Sequence, residues 1–255
     1  MDLSKAFDCL PHELLIAKLE AYGFDKRTLH MFYSYLKKTR KQSVKINGIL
    51  RDFLEILSGV PKCSILGPIL FNIFINFIYH MEKTETGILN FADDNTLSAC
   101  ASTIMELKKI LENAAKEALK WLDSNEMIAN PDKFKVIVLK KPSIKTDNIS
   151  ITVGNQQIKP DASVKLLGVD IDDKLNFKKH IKHLCKTAGA KLNAIKRLRI
   201  YLDNKERELL VEAHVISQFN YSTTVWHFCG LVQIHKMEKL HERCIRFIYN
   251  EYDRK

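Results

Sequence analysis

Apolar residues recur along this chain with two different periods. Leu15, Ile16, Leu19 and Tyr22 follow Pro11 at helical spacing and stop at Gly23, which predicts a first helix. A second helix is expected over about 26–38. The stretch SVKINGILRDFLEILSG then alternates apolar and polar positions around Asn47-Gly48, a strong hairpin signal. Two short strands, 88–91 and 96–98, flank Ala92-Asp93-Asp94-Asn95. Residues 102–126 place Ile104, Leu107, Leu111, Ala114, Ala118 and Trp121 on one helical face. Strands are predicted at 134–139, 149–153 and 164–171, and helices at 177–198, 204–217 and 232–249. The order gives an α+β body followed by a helical segment.

One apolar run tests that reading. Nineteen residues without a formal charge separate Lys62 from Glu82, about the length of a spanning helix. Gly67-Pro68 interrupts its start, and Asn72, Asn76 and His80 recur at four-residue spacing opposite Leu70, Phe74, Phe77 and Ile78. The pattern predicts a core helix with one polar working face and no membrane partner.

Composition narrows the picture. With 46% hydrophobic and 27% charged residues over 255 positions, the chain can bury a substantial core, and disorder is excluded as its main state. Only 9 Gly and 6 Pro argue for long helices over a many-turned β protein. Six scattered cysteines without C-x-x-C point to reduced thiols, hence an intracellular protein of nucleus or cytoplasm, and MDLSKAFDCL has no apolar signal region. The formal charge is +10, and it is uneven. Residues 1–173 carry 23 basic against 22 acidic residues, while 174–255 carry 17 against 8. A basic C-terminal segment favours an acidic partner such as nucleic acid.

The chemistry concentrates in acidic residues. Asp93 and Asp94 adjoin on a tight turn, where like charges repel unless a cation neutralises them. Leu89, Phe91 and Leu97 around the pair lead us to expect a buried hairpin, an expensive place for bare carboxylates. Asp2 and Asp8 lie in DLSKAFD; Asp8, just before Pro11, reads as a helix cap. Cys229, His235, His241 and Cys244 lack knuckle spacing and read as helix packing, not a zinc site.

Five segments then carry a resemblance: DLSKAFDCLPHELLIAKLEAYGF, SGVPKCSILGPILFNIFIN, FADDNTLSAC, WLDSNEMIANPDKFKVIVL and VKLLGVDID. In this order they resemble the palm motifs of reverse transcriptases of non-LTR, LINE-type retrotransposons. KHIKHLCKTAGAKLNAIKRLR resembles the region after that palm. The resemblance implies a palm-like antiparallel sheet with packed helices over 1–173 and a basic helical thumb over 174–255. It implies an RNA-directed DNA polymerase acting on an RNA template, a DNA primer and dNTPs, and sets no oligomeric state. Asp2, Asp93 and Asp94 match the carboxylates that hold two Mg²⁺ ions, with Mn²⁺ as an alternative. Asp2 is therefore expected to converge with the turn pair. Lys133 matches the basic residue near the leaving pyrophosphate, with a solvated turn lysine as the other reading. Phe7 matches the aromatic that excludes a 2′-hydroxyl, with a plain core aromatic beside it. Pro61, Ser64 and Gly67 match the loop and helix start that hold template and nucleotide. Asn72 would face substrate, or lie as a satisfied amide in the core. Gly168 matches the primer-contacting hairpin. Lys178, Lys179, Lys182, Lys186, Lys191, Lys196, Arg197 and Arg199 would meet phosphates, or form a solvated face paired with Asp170, Asp172 and Asp173.

Two departures shape the expectation of activity. The matching pattern starts at the first palm motif, so the fingers are expected to be missing. The family's Gly-Val-Pro-Gln-Gly-Ser reads Gly59-Val60-Pro61-Lys62-Cys63-Ser64. A side chain at the second glycine intrudes where backbone approaches closely. Polymerisation is therefore expected to be impaired. The alternatives are a catalytically dead nucleic-acid-binding remnant of a mobile element and a protein without function.

Overall fold

The computed structural model describes residues 3, 6–38, 41–61, 63–81, 86–139 and 149–250. The chain divides into two compact units, 1–135 with 149–159, and 136–148 with 160–255.

The first unit opens with α1 (His12–Ala21) and α2 (Lys26–Tyr33), which runs into a π turn over Ser34–Lys38. Asp25 caps α2 by accepting from the Thr28 N–H at 2.7 Å. Next come β1 (Lys41–Gln42), β2 (Lys45–Ile46), β3 (Ile49–Leu50) and β4 (Leu54–Glu55). Asn47 and Gly48, with φ of 49° and 85°, make the left-handed turn between β2 and β3 that their sequence predicts. The uncharged run forms α3 (Leu66–Ile75) and a 3₁₀ turn over Asn76–Met81. Among the described residues no helix is long and apolar enough to cross a membrane. The hairpin β5 (Thr86–Phe91) and β6 (Asp94–Ala99) precedes α4 (Ile104–Ser124), and β7 (Ile151–Val153) pairs with β8 (Gln156–Ile158). Leu10, Leu15, Leu19, Phe71, Phe74, Ile78, Ile88 and Leu122 build the core of this unit.

The second unit holds the hairpin β9 (Ser163–Leu166) and β10 (Val169–Asp172), then α5 (Lys178–Lys196) and α6 (Asn204–Val211). The short helices α7 (Ser217–Asn220) and α8 (Thr223–Trp226) lead to α9 (Leu231–Ile248). Asp172 ties hairpin to helix, its carboxylate accepting the backbone N–H groups of Lys174, Asn176 and Phe177. Asp203 and Glu206 form a reciprocal capping box on α6. Two apolar clusters stabilise the helices, one around Leu192, Val215 and Phe247, the other around Ile181, Phe177 and Trp226.

The architecture is mixed helix and antiparallel strand, but several expectations need correction. Among the described residues the strands form five separate two-stranded pairs. Residues 134–139 form no strand; among the described residues the bond from the Asp161 N–H to the Val136 carbonyl is a single contact, not a ladder. Residues 164–171 are not one strand but a hairpin, as the match at Gly168 implies, because Leu167 and Gly168 adopt φ of 44° and 87° and reverse the chain. On α4 the fully buried positions are Ala115, Ala118 and Leu122, a seam turned slightly from the expected face. Pro11 is the N-cap of α1, in an extended conformation at φ −71° and ψ 123°.

Candidate active site

The register of β5 and β6 decides how the carboxylates are presented. Ile88 faces Leu97 and Asn90 faces Asn95, while Leu89 opposes Thr96 and Phe91 opposes Asp94. Opposed residues share a face, so Ile88, Asn90, Asn95 and Leu97 turn inward and Leu89, Phe91 and Asp94 turn outward. Leu89 and Phe91 are each 66% exposed, which corrects the expected buried frame. The tip is the two-residue turn Ala92-Asp93, with Ala92 at φ 52°. Asp93 is half-buried there, and Asp94 is exposed beside Phe91. Behind them lie buried amides: Asn95 donates to the Asp93 carbonyl at 3.3 Å, and both polar atoms of the Asn90 side chain are buried without a partner among the described residues. These asparagines were not singled out by sequence, although period-2 alternation from Ile88 places Asn90 inward.

Adjacent carboxylates on a tight, accessible turn present hard oxygens. Among the described residues neither Asp93 nor Asp94 forms an ion pair. Such a set fits Mg²⁺, which keeps several waters and needs only one or two protein carboxylates beside substrate phosphates. Among the described residues no three His, Cys, Asp or Glu side chains group around a metal position. Asp2, expected to join the pair, lies outside the described residues, as does Lys62.

A second constellation surrounds Phe7. This half-buried ring stacks on Phe71 of α3 with centroids 4.4 Å apart. Its backbone is laced to the Gly-Val-Pro loop: the Val60 N–H donates to the Phe7 carbonyl and the Gly59 N–H to the Leu10 carbonyl, both at 2.8 Å. The Ser58 hydroxyl donates to the Asp8 carbonyl at 2.9 Å. Further along, the Ser64 hydroxyl donates to the Pro61 carbonyl at 2.7 Å and accepts from the Gly67 N–H at 2.9 Å, fixing the start of α3. A Cβ on Gly67 would sit 2.6 Å from the Pro61 carbonyl oxygen, so only glycine fits. Cys63 holds φ at 61°, in the left-handed region. Asn72 is exposed, and Asn76 is exposed and donates to the Tyr22 hydroxyl at 2.7 Å; neither is the satisfied core amide of the alternative reading.

The remaining residues lie apart in the sequence. Lys133 ends a 3₁₀ turn, Pro131–Lys133, and is exposed. Gly168, at φ 87°, is exposed beside the Tyr221 ring, whose hydroxyl donates to the Leu167 carbonyl at 2.6 Å. Tyr221 gave no sequence signal, since no local periodicity links it to a turn more than fifty positions away. On α5, Lys178, Lys182 and Lys186 are exposed and form no ion pair among the described residues. Lys179 differs: it pairs with Asp170 at 3.4 Å and donates to the Ser163 hydroxyl. Lys191, Lys196 and Arg199 are half-buried, and Arg197 is exposed. Cys229 and Cys244 are buried in separate apolar clusters and burial pushes both thiols up, while His235 bonds Glu238 at 2.8 Å, so these residues pack rather than ligate.

Residues 1–171 match the family described as reverse transcriptase (RNA-dependent DNA polymerase). The chain is 25% identical over 97% of its length to an RNA-directed DNA polymerase from mobile element jockey of Drosophila funebris, covering 28% of that relative. It is 23% identical, again over 97% of its length and 28% of the relative, to a probable RNA-directed DNA polymerase from transposon BS of Drosophila melanogaster. A Pol polyprotein from a type-1 retrotransposable element R1 of Nasonia vitripennis is 24% identical over 66% of this chain and 43% of its own. Among solved structures, a Candida albicans telomerase aligns over 98% of this chain and 44% of its own, at 13% identity and a TM-score of 0.45. The chain thus spans about 28% of the length of the first two relatives. With its motifs in order and an acidic pair on a tight turn, this chain belongs to the reverse transcriptase family, in the LINE-type branch carried by retrotransposons.

Proposed function

We propose that this chain forms the palm, residues 1–173, and the thumb, 174–255, of a retrotransposon polymerase that copies an RNA template from a DNA primer with dNTPs. The observation that carries the reading is the Phe91-Ala92-Asp93-Asp94 turn, accessible and free of ion pairs among the described residues. Asp93 and Asp94, with Asp2, would hold the two ions. When bound, Mg²⁺ supplies charge neutralisation on the phosphates and activation of the attacking oxygen. The Phe7 ring would lie against the incoming sugar and reject a 2′-hydroxyl. Pro61, Ser64 and Gly67 would shape the wall beside it, and Asn72 offers an exposed amide to substrate. Lys133 would donate a proton toward the departing pyrophosphate. The Gly168 turn brings bare backbone to the primer end.

The same reading makes Cys63 a handicap, since positioning supplies most of the rate in phosphoryl transfer. The test is Mg²⁺-dependent dNTP incorporation on a primed RNA template. We expect weak incorporation by the natural chain, more by Cys63→Gly, and none by Asp93→Asn. Incorporation that survives Asp93→Asn would refute the assignment.

A second reading, nucleic-acid binding without catalysis, is favoured by the exposed Lys178, Lys182 and Lys186. Salt-sensitive duplex binding with no incorporation even by Cys63→Gly would select it.

A further inference from the structure

We infer that His12 is a positioning residue: its imidazole fixes the Gly59–Val60 peptide against the Phe7–Leu10 segment, so that the Phe7 ring and the loop leading to Gly67 hold one geometry. The inference rests on the nucleotide-site reading above for its consequence, but its structural part stands on its own distances.

His12 is the first residue of α1 and is 3% exposed. Its Nε2 lies 2.7 Å from the Gly59 carbonyl oxygen. That oxygen can only accept, so Nε2 carries the proton and donates. The same peptide unit presents the Val60 N–H, which donates to the Phe7 carbonyl at 2.8 Å. One peptide plane is thus gripped at both ends, by backbone on one side and by the His12 ring on the other. Gly59 makes the grip possible. It adopts φ 85°, and a Cβ there would meet the carbonyl oxygens of Phe7 and Asp8 at 2.7 Å. Its freedom is also the weakness of the joint, because a glycine-flanked peptide rotates readily once one end is released. The Phe7 ring is in turn held from α3 by its stack on Phe71, so rotation of the 59–60 peptide would shift the ring's own carbonyl anchor. Losing the donor also strands a buried carbonyl, whose desolvation is not refunded.

The experiment compares His12→Leu, which keeps bulk but has no donor, with His12→Gln, whose amide can donate to Gly59, in the full chain. Amide hydrogen exchange at Gly59 and Val60 should accelerate by roughly tenfold or more in His12→Leu, as expected for a stranded buried carbonyl. The Leu15 amide, bonded to the Pro11 carbonyl at 3.0 Å, should keep its protection. His12→Gln should retain both. In incorporation assays on the Cys63→Gly background, His12→Leu should lose discrimination of deoxy- over ribonucleotides while His12→Gln keeps it, a pattern that general destabilisation does not produce. Unchanged exchange at Gly59 and Val60 in His12→Leu overturns the clamp. Altered exchange with no incorporation by the His12 parent leaves the clamp standing and sinks the polymerase reading instead. Should His12→Leu fail to fold, His12→Asn replaces it: its shorter amide falls short of Gly59, and exchange equal to that of His12→Gln would overturn the inference.

Discussion

Cys63 shows most directly how one residue registers the chain's divergence. It sits at φ 61°, a conformation that disfavours a Cβ by roughly 1–2 kcal/mol. Cys63 is exposed, so glycine would lose no packing there. Cys63→Gly should therefore raise the unfolding free energy by about 1 kcal/mol, less the unfolded-state entropy that glycine adds, and a urea titration measures it. Lys18 makes the opposite kind of statement. Its ammonium is buried, donates to the Phe74 carbonyl at 3.0 Å and lies 3.9 Å from the Phe74 ring centroid and 4.6 Å from that of Trp121. Burial nevertheless pulls it from its ordinary 10.5 down to about 8. Between those values the unfolded chain holds a proton that the folded chain has released, so stability rises with pH in that window. Below about 8 both states are protonated and the full cost of burying the charge stands. Lys18→Met should accordingly raise the midpoint of thermal unfolding at pH 7 and abolish the gain between pH 8 and 10.5; an unchanged midpoint would mean that the ring contacts offset the burial. The sequence marked Cys63 because it stands where the family has glycine. It was silent on Lys18 and His12, whose partners come from residues 47 to 56 positions away.

At the level of elements, local signals were legible and tertiary ones were not. Asn47-Gly48 specifies its turn by backbone chemistry alone, and the helix from Pro11 to Gly23 follows its apolar spacing. The β5–β6 hairpin was legible in place but not in orientation. Both Leu89 and Ile88 are apolar, and only the packing of Ile88 on the core decides which face turns in. Residues 134–139 read as a strand because β-branched residues cluster there, yet a strand needs a partner that composition cannot supply. On α5 the reading and the structure meet in a test. Lys178, Lys182 and Lys186 are exposed without an ion pair among the described residues, while Lys179 is engaged by Asp170, and Asp172 spends its carboxylate on backbone. Replacing Lys178, Lys182 and Lys186 by Ala should reduce the slope of log affinity against log salt by roughly two to three, about 0.9 per lost phosphate contact. Replacing Lys179 instead should change it little. A slope unchanged in the triple variant would make this only a solvated face.

For the whole molecule, the distribution of charge decides more than its sum. Of the formal +10, almost all falls after residue 173, where 17 basic residues meet 8 acidic ones. The remaining chain is nearly neutral and contains the core around Phe71 and Phe74, together with the acidic turn. On the proposed reading, nucleic acid would be held by the segment that carries the charge, with the carboxylates in a region of nearly balanced charge. On that reading Lys178, Lys182 and Lys186 would meet phosphates, and phosphate contacts fix register without reading sequence. Affinity for duplexes of unrelated sequence should therefore agree within about threefold, against the 10³-fold or greater discrimination typical of site-specific binders. It should also fall steeply between low and moderate salt for every duplex alike. Fluorescence anisotropy with two duplexes of matched length and different composition decides the matter. A preference of 10³ for one of them would mean that base edges are read by residues outside the basic segment.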